Sequence, residues 1–210
     1  MKDNRNGNIR NVIFDLGGVL LDWSPERLLA GFTADPQTRA LYREAVLGHP
    51  DWLALDKGLL TEAEGIERFR ARTGRPAAEV AGFMQAVRDF LQPIRPTVDL
   101  LQELADHGVP LYCLSNMSGP IFSHVRGRNK FFDRFQGIVV SGLVKMKKPE
   151  PEIYRYLLSR YGLQADTCVF IDDILANLES ARGIGLQTIL FQGAADCRQR
   201  LNLILGLEVP

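Results

Sequence analysis

The stretch Val12-Ile13-Phe14-Asp15-Leu16-Gly17-Gly18-Val19-Leu20 decides the fold. Three apolar residues, two of them β-branched, end on a carboxylate, and two glycines follow at once. A short, continuous apolar run reads as a strand buried on both faces, as in parallel sheets. Glycines just beyond it let the backbone turn sharply and approach a ligand. The segment therefore predicts a first parallel strand with Asp15 presented at its tip.

Runs of the same kind recur at Leu111 to Leu114, Gly137 to Val140, Cys168 to Ile171 and Thr188 to Phe191. Helical stretches fall between the later ones, including Pro96 to His107 stopped by Gly108 and Glu152 to Tyr161 stopped by Gly162. Strand and helix alternate, so the fold class is α/β. From Ser24 to Leu91 the sequence offers helix starts and no strand: Ser24-Pro25, Asp35-Pro36, a capping box of Thr61 with Glu64 running to about Thr73 before Gly74, and Pro76. These signals predict an all-helical insertion after the first strand, on the side of the sheet where ligands bind. Residues 1–22 and 93–210 are expected to form the α/β core and 23–92 the helical cap. The hinge falls at Pro93 to Pro96.

Composition narrows the class. The chain has 210 residues, 46% apolar and 24% charged, the profile of a globular protein long enough to bury a core. Lysine and arginine total 25 against 25 acids, which advertises neither a nucleic-acid nor an anionic-membrane partner. Cys113, Cys168 and Cys197 are odd in number, and two interrupt apolar runs, which favours free thiols in a reducing compartment. Met1 to Asn11 is polar and the run behind it is too short for a signal or a span, so the expected location is cytoplasmic. The sequon Asn116-Met117-Ser118 carries no weight without a secretion signal, and oligomeric state is not readable.

Further candidates stand at other strand ends. Leu114-Ser115-Asn116 offers a hydroxyl, an amide and turn N–H groups that can hold an anion. Lys148, before Pro149, ends a basic run whose other members read as a solvated loop. Asp172-Asp173 follows Ile171, with Asn177 shortly after; adjacent carboxylates repel, and a hard cation such as Mg²⁺ suits oxygen ligands and phosphate. Each feature alone reads as an ordinary turn or helix cap. Their order along the chain is what carries information.

Phe14 to Leu20, Leu-Ser-Asn at 114–116, Lys-Pro-Glu-Pro-Glu-Ile-Tyr at 148–154 and Ile171-Asp172-Asp173 with Asn177 resemble the four motifs of the haloacid dehalogenase superfamily, over about Val12 to Phe191. The resemblance implies a Rossmann-like parallel core with a helical cap inserted after the first strand. It also implies a Mg²⁺-dependent phosphatase acting on a small phosphorylated metabolite, with a sugar phosphate as one candidate. By position, Asp15 is then the nucleophile and a metal ligand, Ser115 and Asn116 hold phosphoryl oxygens, and Lys148 neutralises them. Gly17 offers its carbonyl to the metal, and Asp173 ligates it with Asp172 alongside. A carboxylate with a reference value near 3.9 needs no base in order to attack phosphorus; Mg²⁺ and Lys148 must offset charge repulsion.

The sequence departs from that pattern at Gly17, where the superfamily's phosphatases carry a second aspartate as general acid and base, a role worth about 10²- to 10⁴-fold. The Asp-Leu-Gly-x-Val form with Asp22 is similar to the glucose-1-phosphatase-like branch, so hydrolysis is not excluded. Asp22, His49 and Asp56 are the candidates for a replacement, and Trp23 and Trp52 the aromatics to place near a substrate ring. A 2-haloacid dehalogenase is the first rival reading, disfavoured by the paired acids. A phosphate-ligand-binding protein whose turnover Gly17 has impaired is the second.

Overall fold

In the computed structural model, which describes residues 9–207, the opening apolar run forms β1 (Asn11–Phe14), with Val12, Ile13 and Phe14 fully buried. Most of the polar stretch before it, and the last three residues of the chain, lie outside the described residues. The helical segment follows: α1 (Pro25–Phe32), α2 (Pro36–Tyr42), a π-helical turn (Arg43–Leu47), α3 (Pro50–Asp56), α4 (Glu62–Thr73) and α5 (Ala77–Phe90). Next come α6 (Arg95–Asp106), β2 (Leu111–Ser115), α7 (Gly119–Arg128), a 3₁₀ turn (Lys130–Arg134), β3 (Gly137–Val140) and α8 (Ser141–Val144). The chain closes with α9 (Pro151–Tyr161), β4 (Cys168–Asp172), α10 (Leu175–Gly183), β5 (Gln187–Leu190) and α11 (Ala194–Leu205).

The five strands are parallel in the order β3-β2-β1-β4-β5. The chain winds outward from β1 through β2 to β3, then crosses to β4 on the other side, which makes the tips of β1 and β4 the switch point where α/β sheets bind ligands. Alternation along β1 sorts its side chains: Val12 and Phe14 join one apolar cluster with α6, α7 and α11, and Ile13 joins a second with α9 and α10. The result is the α/β Rossmann-like sandwich that the sequence predicted. Each large side chain buried this completely contributes about 1.5–3 kcal/mol.

Local chemistry sets the helical segment. Ser24 and Asp35 cap α1 and α2 as expected, and the Thr61–Glu64 capping box opens α4, which ends on Gly74 in the left-handed conformation. Inside, Phe32 meets Phe83 edge to face and Tyr42 tilts against both, in a small core with buried Leu29 and Phe69. The segment leaves and rejoins the sheet by two strands of chain that bond to each other. Asp22 N–H donates to Gln92 O at 2.8 Å and Ile94 N–H to Leu20 O at 2.9 Å.

The differences from expectation are local. β2 and β4 extend one residue further than their apolar runs, so Ser115 and Asp172 are the last strand residues rather than loop. β5 runs Gln187–Leu190, and Phe191 follows it with its N–H on Asp172 O at 2.9 Å. Asp56, one of the three proton-transfer candidates, is the final residue of α3, a helix that the sequence did not reveal. Cys113, Cys168 and Cys197 are free and buried. No helix among the described residues is long and apolar enough to cross a membrane.

Candidate active site

Asp15 leaves β1 at the centre of the sheet, and a tight turn fixes it there. Leu16 O accepts the N–H groups of Val19, Leu20 and Leu21 at 3.2, 2.8 and 2.7 Å, and Leu16 N–H donates to Asp15 Oδ1 at 2.7 Å. Gly18 has φ +76°, and a Cβ there would overlap the Asp173 carboxylate, so a glycine is required for the turn and for the approach.

The lysine completes this centre. Lys148 Nζ lies 2.8 Å from Asp15 Oδ1 and 2.7 Å from Asp172 Oδ2, with 1% of its side chain exposed. Burial opposes its charge, but the two carboxylates outweigh that and hold its ammonium above the ordinary range. Asp15 shows the converse: burial, reinforced by Asp172 and Asp173 against the pull of Lys148, pushes it up to about 7. The reference value used in the sequence argument therefore does not describe this carboxyl, whose ionised form depends on nearby positive charge.

Asp172 and Asp173 have different jobs despite their adjacency. Asp172 is fully buried; its Oδ1 accepts from Ile174 N–H at 2.8 Å, its Oδ2 from Lys148, and both from Asn177 Nδ2 at 3.0 Å. Three donor groups make four contacts, enough to occupy the lone pairs a carboxylate offers. Asp172 thus orients Lys148 and Asn177. Asp173 points toward the cavity, its carboxyl raised by burial and by Asp172. Asp15, Asp172 and Asp173 each have an oxygen within 4.8 Å of the others, and with Asp172 engaged by its own donors, Asp15 and Asp173 are the hard-oxygen groups of this cluster that fit Mg²⁺.

Asn116 likewise spends much of its side chain on positioning. Its Nδ2 donates to Lys148 O at 2.9 Å and its Oδ1 accepts Lys148 N–H at 2.8 Å, which straps the lysine's backbone to the end of β2. It still lines the cavity, alongside Ser115.

That cavity, of about 290 Å³, is walled by Asp15, Gly17, Ser115, Asn116, Lys148 and Asp173 on the sheet side and by Trp23, Trp52, Leu53 and Asp56 on the helical side. A further recess of about 90 Å³ adjoins it, sharing Trp23, Trp52 and Asp56 and walled also by Val87, Leu91, Met117 and Ile121. The indoles of Trp23 and Trp52 stack at 6.3 Å and 15°. Of the three candidates for a proton-transfer group, only Asp56 lines this space. Asp22 is ion-paired with Arg27, and His49 Nδ1 accepts Asp51 N–H at 3.1 Å as the cap of α3. Trp23 and Trp52 both line the recess; the sequence missed Val87, Leu91, Met117 and Ile121 there, and Ser141, whose buried hydroxyl donates to Asp56 O and accepts Met117 N–H at 2.9 Å. They lie far apart along the chain and match no motif.

The family model of the haloacid dehalogenase-like hydrolases matches residues 9–185. The chain belongs to that family of hydrolases. The hydrolase is 28% identical over 193 residues to a sesquiterpene phosphatase of Aspergillus oryzae, spanning 91% of this chain and 95% of the relative. It is 24% identical to the D-ribitol-5-phosphate phosphatase of Bacteroides thetaiotaomicron, over 94% and 99% of the two chains. A family enzyme of the same bacterium, crystallised with magnesium and inorganic phosphate, superposes with a TM-score of 0.71 at 28% identity over 86% of this hydrolase and 93% of that chain.

Proposed function

We propose that this hydrolase is a Mg²⁺-dependent phosphomonoesterase that works through an aspartyl phosphate on Asp15. The observation that carries this reading is the buried Lys148 held between Asp15 and Asp172, beside an Asp173 carboxylate that opens on the same cavity. A cation fixed at that place is built to neutralise an anion lying against the nucleophile. The Asp15 and Asp173 carboxylates, with the Gly17 carbonyl, are the groups that would hold Mg²⁺. When bound, the metal offsets the repulsion between nucleophile and phosphate. Ser115 and Asn116, which line the cavity at the end of β2, orient the phosphoryl oxygens. Lys148 stabilises the charge that builds on them as Asp15 attacks, and the helical segment acts as a cap that excludes water.

The organic half of the substrate meets a different surface. Two indoles and four aliphatic or thioether side chains line the recess, and Leu53 and Ile174 stand 49% and 53% exposed beside the cavity. Hydroxyls of a sugar or polyol would find only Asp56 and Asn116 among the polar side chains of the recess. This supports an ester of a small, largely apolar alcohol, in keeping with the sesquiterpene phosphatase to which the chain is similar. A sugar phosphate, which the stacked indoles also admit, is the second reading.

The test is phosphate release from p-nitrophenyl phosphate, prenyl monophosphates and sugar phosphates, with and without Mg²⁺. Release that needs Mg²⁺ and disappears in Asp15→Asn is expected, with prenyl esters preferred. Asp173→Asn should raise the Mg²⁺ requirement at least about 100-fold, since even outer-shell changes cost up to that much. Absence of phosphate release, together with metal-independent halide release from 2-chloropropionate, would replace this reading by the dehalogenase one.

A further inference from the structure

We infer that Asp56 is the proton donor and acceptor of the reaction, reaching the substrate from α3 because Gly17 has no side chain with which to do so. The inference rests on the phosphomonoesterase reading above. Among the residues lining the 290 Å³ cavity, the groups able to exchange a proton are Asp15, Lys148, Asp173 and Asp56. Asp15 is the nucleophile, Lys148 is locked in its charged form between two carboxylates, and Asp173 faces the cation position. Asp56 is left.

Its setting suits the work. The backbone carbonyl of Asp56 is held by Ser141, and its carboxyl lies within reach of the Ser118 N–H and the Trp52 indole one turn earlier on the same helix. Lys57, next in sequence, pairs with Glu150 at 2.7 Å, so the end of α3 is fastened to the sheet side. Burial raises the carboxyl to about 7, with Ser118, Lys147 and Trp52 pulling the other way. Both protonation states are then accessible near neutrality, which is what an acid that must later act as a base requires.

The steps balance. Asp15 attacks phosphorus, the bond from phosphorus to the alcohol oxygen breaks, and the departing oxygen takes the proton of Asp56. Water then attacks the aspartyl phosphate and gives its proton to the Asp56 carboxylate. The bond from phosphorus to Asp15 breaks, which releases phosphate and restores both carboxyl groups.

Glycine at 17 is not forced by the backbone. Its φ lies outside the left-handed region, and a Cβ there would meet only Trp23, at 3.7 Å and beyond. An acid can therefore be put back at Gly17. The experiment compares wild type, Asp56→Asn, Asp56→Glu and the double variant Asp56→Asn with Gly17→Asp, on p-nitrophenyl phosphate and on n-hexyl phosphate. The nitrophenolate leaves without protonation; the alkoxide does not.

Asp56→Asn is expected to slow hexyl phosphate turnover by about 10²- to 10⁴-fold while the burst of nitrophenolate persists and phospho-Asp15 accumulates. Asp56→Glu and Gly17→Asp should each restore part of the loss. Unchanged hexyl phosphate turnover in Asp56→Asn overturns the inference. So do equal losses on both substrates with no trapped phosphoenzyme, which would make Asp56 a structural anchor of α3. A wild type that releases no phosphate from either ester defeats the phosphomonoesterase reading itself, a separate outcome.

Discussion

The two walls of the cavity differ in how they are held. On the strand-tip wall, Asp15, Lys148 and Asp172 are each 5% exposed or less and satisfy one another through contacts of 2.7–2.8 Å, with Asn116 and Asn177 closing the network. The helical wall offers Trp23, Trp52, Val87, Leu91 and one acid, Asp56, which is held by a backbone amide and an indole, with Lys147 acting on it through space and not as an ion-pair partner. A fully paired ionic network is rigid, and it can be disturbed only at high cost. An apolar wall set by helix packing can change side chain by side chain. On the proposed reading, the common chemistry belongs to the sheet and the choice of substrate to the apolar wall.

The comparison breaks most visibly at Lys148. Lys148→Met keeps the volume and removes the charge, which leaves Asp15 and Asp172 buried without a counter-ion. Losing one member of a buried pair costs about 3–5 kcal/mol, so a large fall in Tm is expected, with Asp15 driven further toward its protonated, non-nucleophilic form. Turnover should fall by at least about 10³-fold, beyond what the stability loss explains at low temperature. A variant with wild-type Tm would mean that the network is not the rigid wall described here.

How far each wall was legible in the sequence follows from the same contrast. Asp15, Ser115 and Asp172-Asp173 sit where apolar runs stop, because a parallel strand delivers its next residue to the sheet's carboxyl edge. Lys148 was found by its place in a motif, not by periodicity; nothing local distinguishes it from Lys147, which carries no such network. The division of labour between Asp172 and Asp173 was not legible, since it depends on Asn177 and Ile174 N–H folding back onto one carboxylate only. The helical wall was harder still. Its caps were readable at Ser24, Asp35 and Thr61, but Val87 and Leu91 come from one stretch and Met117 and Ile121 from another, and they meet through tertiary packing alone. Asp56 could be proposed as one of three, and only its position beside Trp52 in the cavity singles it out.

A smaller effect sharpens the apolar side, to which α7 contributes Ile121. Ile121→Phe narrows the recess without touching a charged group, and should lower kcat/KM for a prenyl phosphate about 10- to 100-fold, the discrimination one apolar contact can supply. Release from p-nitrophenyl phosphate should stay near wild type. Equal losses on both esters would place the effect on the shared chemistry instead, and the separation of the two walls would fail at that residue.

The smallest effect is in stability, and it tests the one acid on the apolar wall. Asp56 titrates at about 7 in the folded protein, against about 3.9 in an unfolded chain. Between those values the folded state binds the proton more tightly, so stability falls as pH rises through that window and levels off above it. Below the lower value both states are protonated and the group is neutral in effect. An asparagine in its place never ionises. Asp56→Asn should therefore match wild type near pH 4 and be more stable near pH 8, by about 1–2 kcal/mol once partial exposure is allowed for. Urea midpoints at the two pH values, in metal-free buffer, measure this directly. A variant that loses turnover of alkyl phosphates and gains stability only on the alkaline side would identify an acid kept for its chemistry at the expense of the fold. Equal midpoints at both values would mark Asp56 as an ordinary solvated carboxylate, and would leave the helical wall with no group able to deliver a proton.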